Sequence, residues 1–179
     1  MDPHRKPSTT LPADLPVRAG RDRYLADNAF TLEGYTAPTA TIKVAGRYWT
    51  FPNTPNRQQA LPWHDLHHVA TGYGTDLVGE AEIGAFEIRT GCTSFIAYYL
   101  NATAMLGGLF LAPRRLWRAW AAAKGCRSFY RHPMPYDDVL NLTLGEMRAY
   151  LGIPPAGHAT QPAKLHPDAP AAAKYQTAT

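Results

Sequence analysis

Apolar and polar positions change their period along this chain, and each change marks an element. Between Thr39 and Phe51 the pattern alternates. Ile42, Val44, Tyr48 and Phe51 are good strand formers and Gly46 suits the turn between them, which predicts a β-hairpin. From Pro62 to about Ala70 the period becomes helical, with Pro62 in the first turn, where its missing N–H does no harm. Thr71-Gly72-Tyr73-Gly74 breaks that helix, and Thr75 or Asp76 caps a second one running to about Arg89. Cys92 to Ala112 carries no charged residue. Its length reaches the range of a membrane span, but Asn101 near its middle and Gly107-Gly108 argue against one. The stretch is read as a buried helix, or as the wall of a cavity for a long apolar tail. Arg114–Lys124 forms a short helix with its Trp residues turned inward. Asp137–Leu151 forms a last one, with Val139, Leu140, Leu142, Leu144, Met147 and Leu151 on its apolar face. Asp22–Phe30 is a short helix near the start. The fold class is therefore mostly α: a compact helical domain with a small β-hairpin near the N-terminus. Residues 1–20, rich in Pro, read as a flexible segment. Residues 21–153 read as one helical metal- and lipid-binding domain, and 154–179 as a disordered tail with His158 and His166 in solvent.

Candidate chemistry gathers in the first two long helices. His64, Asp65, His67 and His68 fall within five residues. On a helix, His64 and His68 share a face and Asp65 borders it. Glu80, one turn into the next helix, can be carried over that face. Burying each of these groups alone is costly, which favours a shared cation over a solvated polar face. Mixed imidazole and carboxylate donors suit a divalent metal, zinc first, with iron and manganese as alternatives. Glu87 shares a helix face with Glu80, Ile83 and Gly84. It is either an acceptor for a ligating imidazole N–H or a solvated carboxylate. His67 likewise either supports the site from behind or is an ordinary hydrogen-bonding histidine. Gly79, Ala81, Gly84 and Ala85 lower helix propensity but let a neighbouring helix come close.

Charge and cysteine usage narrow the setting. The net charge of +4 is mildly basic, and no basic run interleaved with aromatics points to nucleic acid. Arg114, Arg115 and Arg118 beside Trp117 and Trp120 fit a membrane interface, or simply an outward-facing charged side. Cys92 and Cys126 read as free thiols in a reducing compartment, and the N-terminus lacks the apolar core of a secretory signal. These features lead to the expectation of a cytoplasmic protein, with peripheral contact to the inner face of the membrane as an open alternative. Ala- and Gly-rich helix faces leave a homodimer open.

HDLHH, eleven further residues and Glu80 resemble the H-D-x-x-H-x(11)-E signature of the Coq-four family, proteins of coenzyme Q (ubiquinone) biosynthesis. The surrounding HDLHHVATGYGTDLVGEAEIGAFE is similar as well, and the resemblance spans about residues 55–153. It implies His64, Asp65, His68 and Glu80 as metal ligands and a mostly helical fold with a lipid-binding cavity. Phe95, Tyr98, Tyr99 and Met105 would then contact the tail. It also implies action on a prenylated aromatic head group, by oxidative decarboxylation at ring carbon one. The alternative is a non-catalytic scaffold that binds a prenylated quinone precursor and organises other quinone-biosynthesis proteins. The sequence departs from the family pattern at Gly84, where a lysine is usual. The H-x-x-H-H of membrane desaturases and the His-Asp pair of HD phosphohydrolases are matched without their further motifs.

Overall fold

Apolar faces of four helices converge on one core in the computed structural model, which describes residues 10–44 and 47–159. These are α1 (Val17–Asp27), α2 (Pro55–Thr71), α3 (Leu77–Thr90) and α7 (Leu144–Leu151). Val17, Leu66, Ile83, Phe86, Leu144, Met147 and Leu151 are all fully buried there. Each such side chain contributes about 1.5–3 kcal/mol. Helices α4 (Phe95–Leu111) and α5 (Pro113–Ala122) lie against α3, and the short α6 (Tyr136–Leu140) precedes α7. Strands β1 (Thr39–Val44) and β2 (Arg47–Pro52) form the expected antiparallel hairpin, with Thr39 opposite Pro52 and Val44 opposite Arg47. The expected turn at Gly46 lies outside the described residues. Buried Asn53 fastens the base of the hairpin through Nδ2 bonds to the carbonyls of Ala37 (2.8 Å) and Tyr35 (3.2 Å).

Several elements differ from their expected bounds. The His helix starts two turns earlier, because Pro55 also suits a first turn, and Pro62 lies inside it. Helix α1 begins at Val17 and ends at Asp27, and Leu32–Tyr35 adds a separate 3₁₀ turn. Residues 10–20 are docked rather than loose: Leu144 N donates to Leu15 O, and Gly145 N to Ala13 O. Residues 154–159 are docked too, with His158 N bonded to Thr71 O. His158 is therefore half-buried rather than solvated, its pKa pushed down by burial. His166 and the rest of the expected tail lie outside the described residues. The helix expected over Asp137–Leu151 is two helices, because Thr143 and Glu146 form a reciprocal capping box that starts α7 afresh. Trp117 faces outward, 70% exposed, not inward.

Helix α4 is the largest departure. It is not buried as a whole, and none of its described residues lines either of the two cavities near His68 and Arg115. Asn101 and Gly108 face α3 and Met105 packs against the core, but most of its large apolar residues face outward. Asn101 and Gly108 are buried, whereas Phe95, Tyr99, Leu100, Leu106, Leu109, Phe110 and Leu111 are exposed. Close approach explains the inner stripe. A Cβ on Gly84 would lie 2.9 Å from Asn101 O, and one on Gly108 would lie 2.3 Å from Ala81 Cβ. The backbone of α4 thus fills the space that a lysine at position 84 would need. Gly108→Leu should destabilise the protein by about 1–3 kcal/mol in chemical denaturation, through overpacking. Gly107→Leu, with nothing within 4 Å of its Cβ, should be neutral or slightly stabilising.

Candidate metal centre

Two backbone features aim the donors. Gly72 ends α2 in the left-handed region (φ 78°), and the Asp76 side chain caps α3 by accepting from Gly79 N at 2.7 Å. The reversal sets α3 beside α2 and brings Glu80 to the face shared by His64 and His68. The ligating atoms of these three residues lie within 4.8 Å of one another. His64 Nε2 and His68 Nε2 are 3.1 Å apart. Glu80 straddles them, with Oε2 3.6 Å from His64 Nε2 and Oε1 3.6 Å from His68 Nε2.

The far side of each ring settles its tautomer. His68 Nδ1 faces the Tyr73 carbonyl at 3.1 Å, and His64 Nδ1 faces Glu87 Oε1 at 3.0 Å. Both partners only accept, so we assign the protons to Nδ1. Both Nε2 lone pairs then point at one another across 3.1 Å, which only a shared proton or a cation makes favourable. Burial disfavours charge on His64, but Glu87 and Glu80 outweigh it and hold its pKa well above the usual value. Burial likewise works against charge on Glu80, yet His68 and His64 bring its pKa down to about 2. The same overcompensation, by His64 first and then His67, keeps Glu87 well below the usual carboxylate range.

These residues fit a divalent cation. Two donors about 2.1 Å from one tetrahedral ion sit about 3.4 Å apart, and the observed spacings of 3.1 and 3.6 Å bracket that value. Two imidazoles and one carboxylate match catalytic zinc and also the facial triad of non-haem iron, both of which keep coordination positions open. His64 and Glu80 are the partly exposed members, their side chains 22% and 37% accessible, so the donor set opens to solvent on their side.

Asp65 does not join this set. Its carboxylate accepts from Tyr35 OH (2.7 Å) and Tyr24 OH (3.3 Å), and Tyr24 stacks on the His68 ring at 5.5 Å between centroids. Burial lifts the Asp65 pKa and, beside that carboxylate, pushes both phenols up, so they remain donors. Asp65→Asn protein should therefore keep its metal stoichiometry by elemental analysis, with affinity lowered at most about 10-fold through looser packing around His68. Complete loss of metal would make Asp65 a ligand.

His67 and Glu87 stand behind the donors. Glu87 Oε1 takes His64 Nδ1–H and also His67 Nδ1–H at 2.8 Å, while Oε2 takes Asn101 Nδ2 at 2.8 Å. His67 Nε2 accepts from Phe129 N at 3.1 Å, and the ring is enclosed by Phe86, Phe129 and Tyr130. Burial, the largest influence on His67, keeps it neutral despite Glu87. Tyr24, Tyr35, Asn101 and the Tyr73 carbonyl were not apparent from spacing. Only Asn101 left a signal, as a lone amide in an apolar run.

The proposed tail residues do not gather at the donors. Phe95 and Tyr99 are exposed at 84% and 61%, and Tyr98 and Met105 are half-buried. A cavity of about 70 Å³ opens beside His68, between Tyr24, Asn28 and Tyr73. A second, of about 110 Å³, lies between Arg115, Arg118 and His158. None of the four lines either cavity, and both are smaller than a prenylated ring. Cys92 and Cys126 are free thiols. Among the described residues, no helix is long and apolar enough to cross a membrane.

Comparison with known proteins gives one relevant likeness. The chain is 31% identical over 100 residues to a protein of Leishmania braziliensis named "Ubiquinone biosynthesis protein COQ4 homolog, mitochondrial". The match covers 51% of this chain and 54% of that protein. The chain thus spans about half the length of the curated relative it matches, and the likeness supports a relationship to the Coq-four family. No family model matches the chain, and no solved structure matches it significantly.

Proposed function

We propose that this protein acts in ubiquinone biosynthesis, on a prenylated aromatic ring whose head group meets a divalent cation at His64, His68 and Glu80. The reaction class is oxidative decarboxylation at ring carbon one. The carrying observation is the pair of imidazoles with both Nε2 lone pairs converging beside the Glu80 carboxylate, a set of three donors that leaves room for substrate oxygens. The named relative supports the pathway.

A cation held there, zinc, iron or manganese, would supply Lewis-acid polarisation of ring oxygens. The chain's own residues do the rest. Glu87 and the Tyr73 carbonyl fix the two ring tautomers, so both Nε2 atoms face the site without reorganisation. Tyr24 closes over the His68 ring, and Asp65 holds Tyr24 and Tyr35 in place. The ring carboxylate leaves as carbon dioxide and a hydroxyl from water takes its place at ring carbon one, with dioxygen accepting the two electrons and two protons as hydrogen peroxide.

The test is turnover by the purified full chain, loaded with zinc, iron or manganese, on a prenylated 4-hydroxybenzoate-type acid with dioxygen. Carbon dioxide release that disappears in His64→Ala supports the proposal. No turnover with any of the three ions, together with co-purifying prenyl lipid, would replace it with the scaffold reading, in which the cation only joins α2 to α3.

A further inference from the structure

We infer that the cleft between α3 and α5 binds one small oxyanion, of the class of free phosphate, through the Tyr73 hydroxyl and the Arg118 guanidinium. The cleft is the cavity of about 110 Å³ walled by Tyr73, Glu82, Arg115, Arg118 and His158. A water takes about 30 Å³ of the liquid. The space therefore suits an ion of a few oxygens, and not an aromatic ring or a peptide segment.

The first observation is a buried donor with nothing to donate to. Tyr73 is 6% exposed. Its backbone is engaged on both sides, with N donating to Thr71 Oγ1 and the carbonyl accepting from His68 Nδ1. Its hydroxyl has no hydrogen bond among the described residues and opens on the cleft, close to the charges of Glu82 and Arg115. A phenol this deep ordinarily finds a partner. Burial, with Glu82 beside it, pushes its pKa up, so the group stays a donor.

The second observation is the charge facing that donor. Glu82 is clamped by Arg115, Nε to Oε1 at 2.9 Å and Nη2 to Oε2 at 2.7 Å. Asp76, also near Arg115, caps the start of α3. Arg118 lies one turn after Arg115 on the same face of α5 and has no carboxylate partner among the described residues. From Ile88 to Tyr136 the chain has no Asp or Glu and seven Lys or Arg, so α4 and α5 supply no competing anion. His158 closes the cleft, stacked on Tyr73 at 6.2 Å between centroids, and burial holds it neutral. The cleft thus carries one unmatched positive charge beside one unmatched donor, and an oxyanion satisfies both.

Tyr73 joins this cleft to the metal centre, because its carbonyl fixes the tautomer of His68. Binding in the cleft does not depend on the reaction proposed above.

The test is thermal unfolding and titration calorimetry of the full chain with inorganic phosphate. One phosphate should bind with a Kd of about 1 mM or tighter and raise Tm. Tyr73→Phe should unfold no more easily than wild type without phosphate, since it removes only an unpartnered hydroxyl, and should bind phosphate about tenfold more weakly. Arg118→Gln should weaken binding by about tenfold as well. Arg18→Gln, the same charge change at an exposed position of α1, should leave it unchanged. Glycerophosphoglycerol, a lipid headgroup diester without acyl chains, should bind more weakly than phosphate, and equal binding would overturn the assignment to a free ion. Phosphate uptake that is absent, or that ignores Tyr73→Phe and Arg118→Gln as an ion held at His64, His68 and Glu80 would, overturns the inference. So does Tyr73→Phe protein destabilised equally with and without phosphate, because the hydroxyl would then serve the fold alone.

Discussion

Glu87→Gln protein is expected to bind its divalent cation about 10- to 100-fold more weakly than wild type, the range seen when a hydrogen-bond partner of a ligating histidine is lost. One carboxylate serves three donors here: His64, His67 and Asn101. An amide offers a single acceptor oxygen and two N–H groups. Whichever way it is turned, its NH₂ meets another donor, either Asn101 Nδ2 or the two imidazole N–H groups. The charge that holds the proton of His64 on Nδ1 is lost as well. Competition with a chromophoric chelator measures the effect, and an affinity within twofold of wild type would separate Glu87 from the metal centre. The metal-free variant should also unfold more easily, because a buried acceptor site becomes a buried mismatch.

The largest effect away from the centre is expected at Arg148. Its guanidinium is fully buried and faces carbonyls rather than a carboxylate: Ala70 O from Nε (2.9 Å), and Leu11 O (2.9 Å) and Pro155 O (2.7 Å) from Nη1. Ala70 lies in the last turn of α2, where the helix dipole favours a cation. One side chain thereby ties the N-terminal segment, the His helix and the segment after α7. Arg148→Met keeps most of the volume but leaves those carbonyls without donors. At about 1 kcal/mol for each lost bond, the cost is about 3 kcal/mol, and Tm should fall by about 6–12 °C for a chain of this size. Exposed Arg127→Met should stay within about 0.5 kcal/mol of wild type. Equal melting of the two variants would show that Arg148 holds nothing together.

What could be read from the residues alone follows from the range of each interaction. The hairpin, the His helix and the Asp76 cap are local, and their patterns carried them. His64, His68 and Glu80 were legible because four-residue spacing and a Gly turn suffice to bring them together. Asp65 misled because adjacency on a helix turns a side chain about 100° around the axis. Its tyrosine partners come from 41 and 30 residues away, and no short motif encodes them. For α4, apolar content did not say which side faces in. The small-residue stripe at 97, 101, 104 and 108 did contain that information, since small residues let backbones meet. The break before α7 was written in Thr143-Leu-Gly-Glu146, a capping signature that the apolar pattern around it concealed.

The central claim is that His64, His68 and Glu80 together hold one divalent cation. Native mass spectrometry combined with elemental analysis tests it on the wild type and on Glu80→Gln and His68→Ala. One equivalent in the wild type and none in either variant is the predicted result. A wild type that takes up no divalent metal, or a full equivalent kept by both variants, would contradict it.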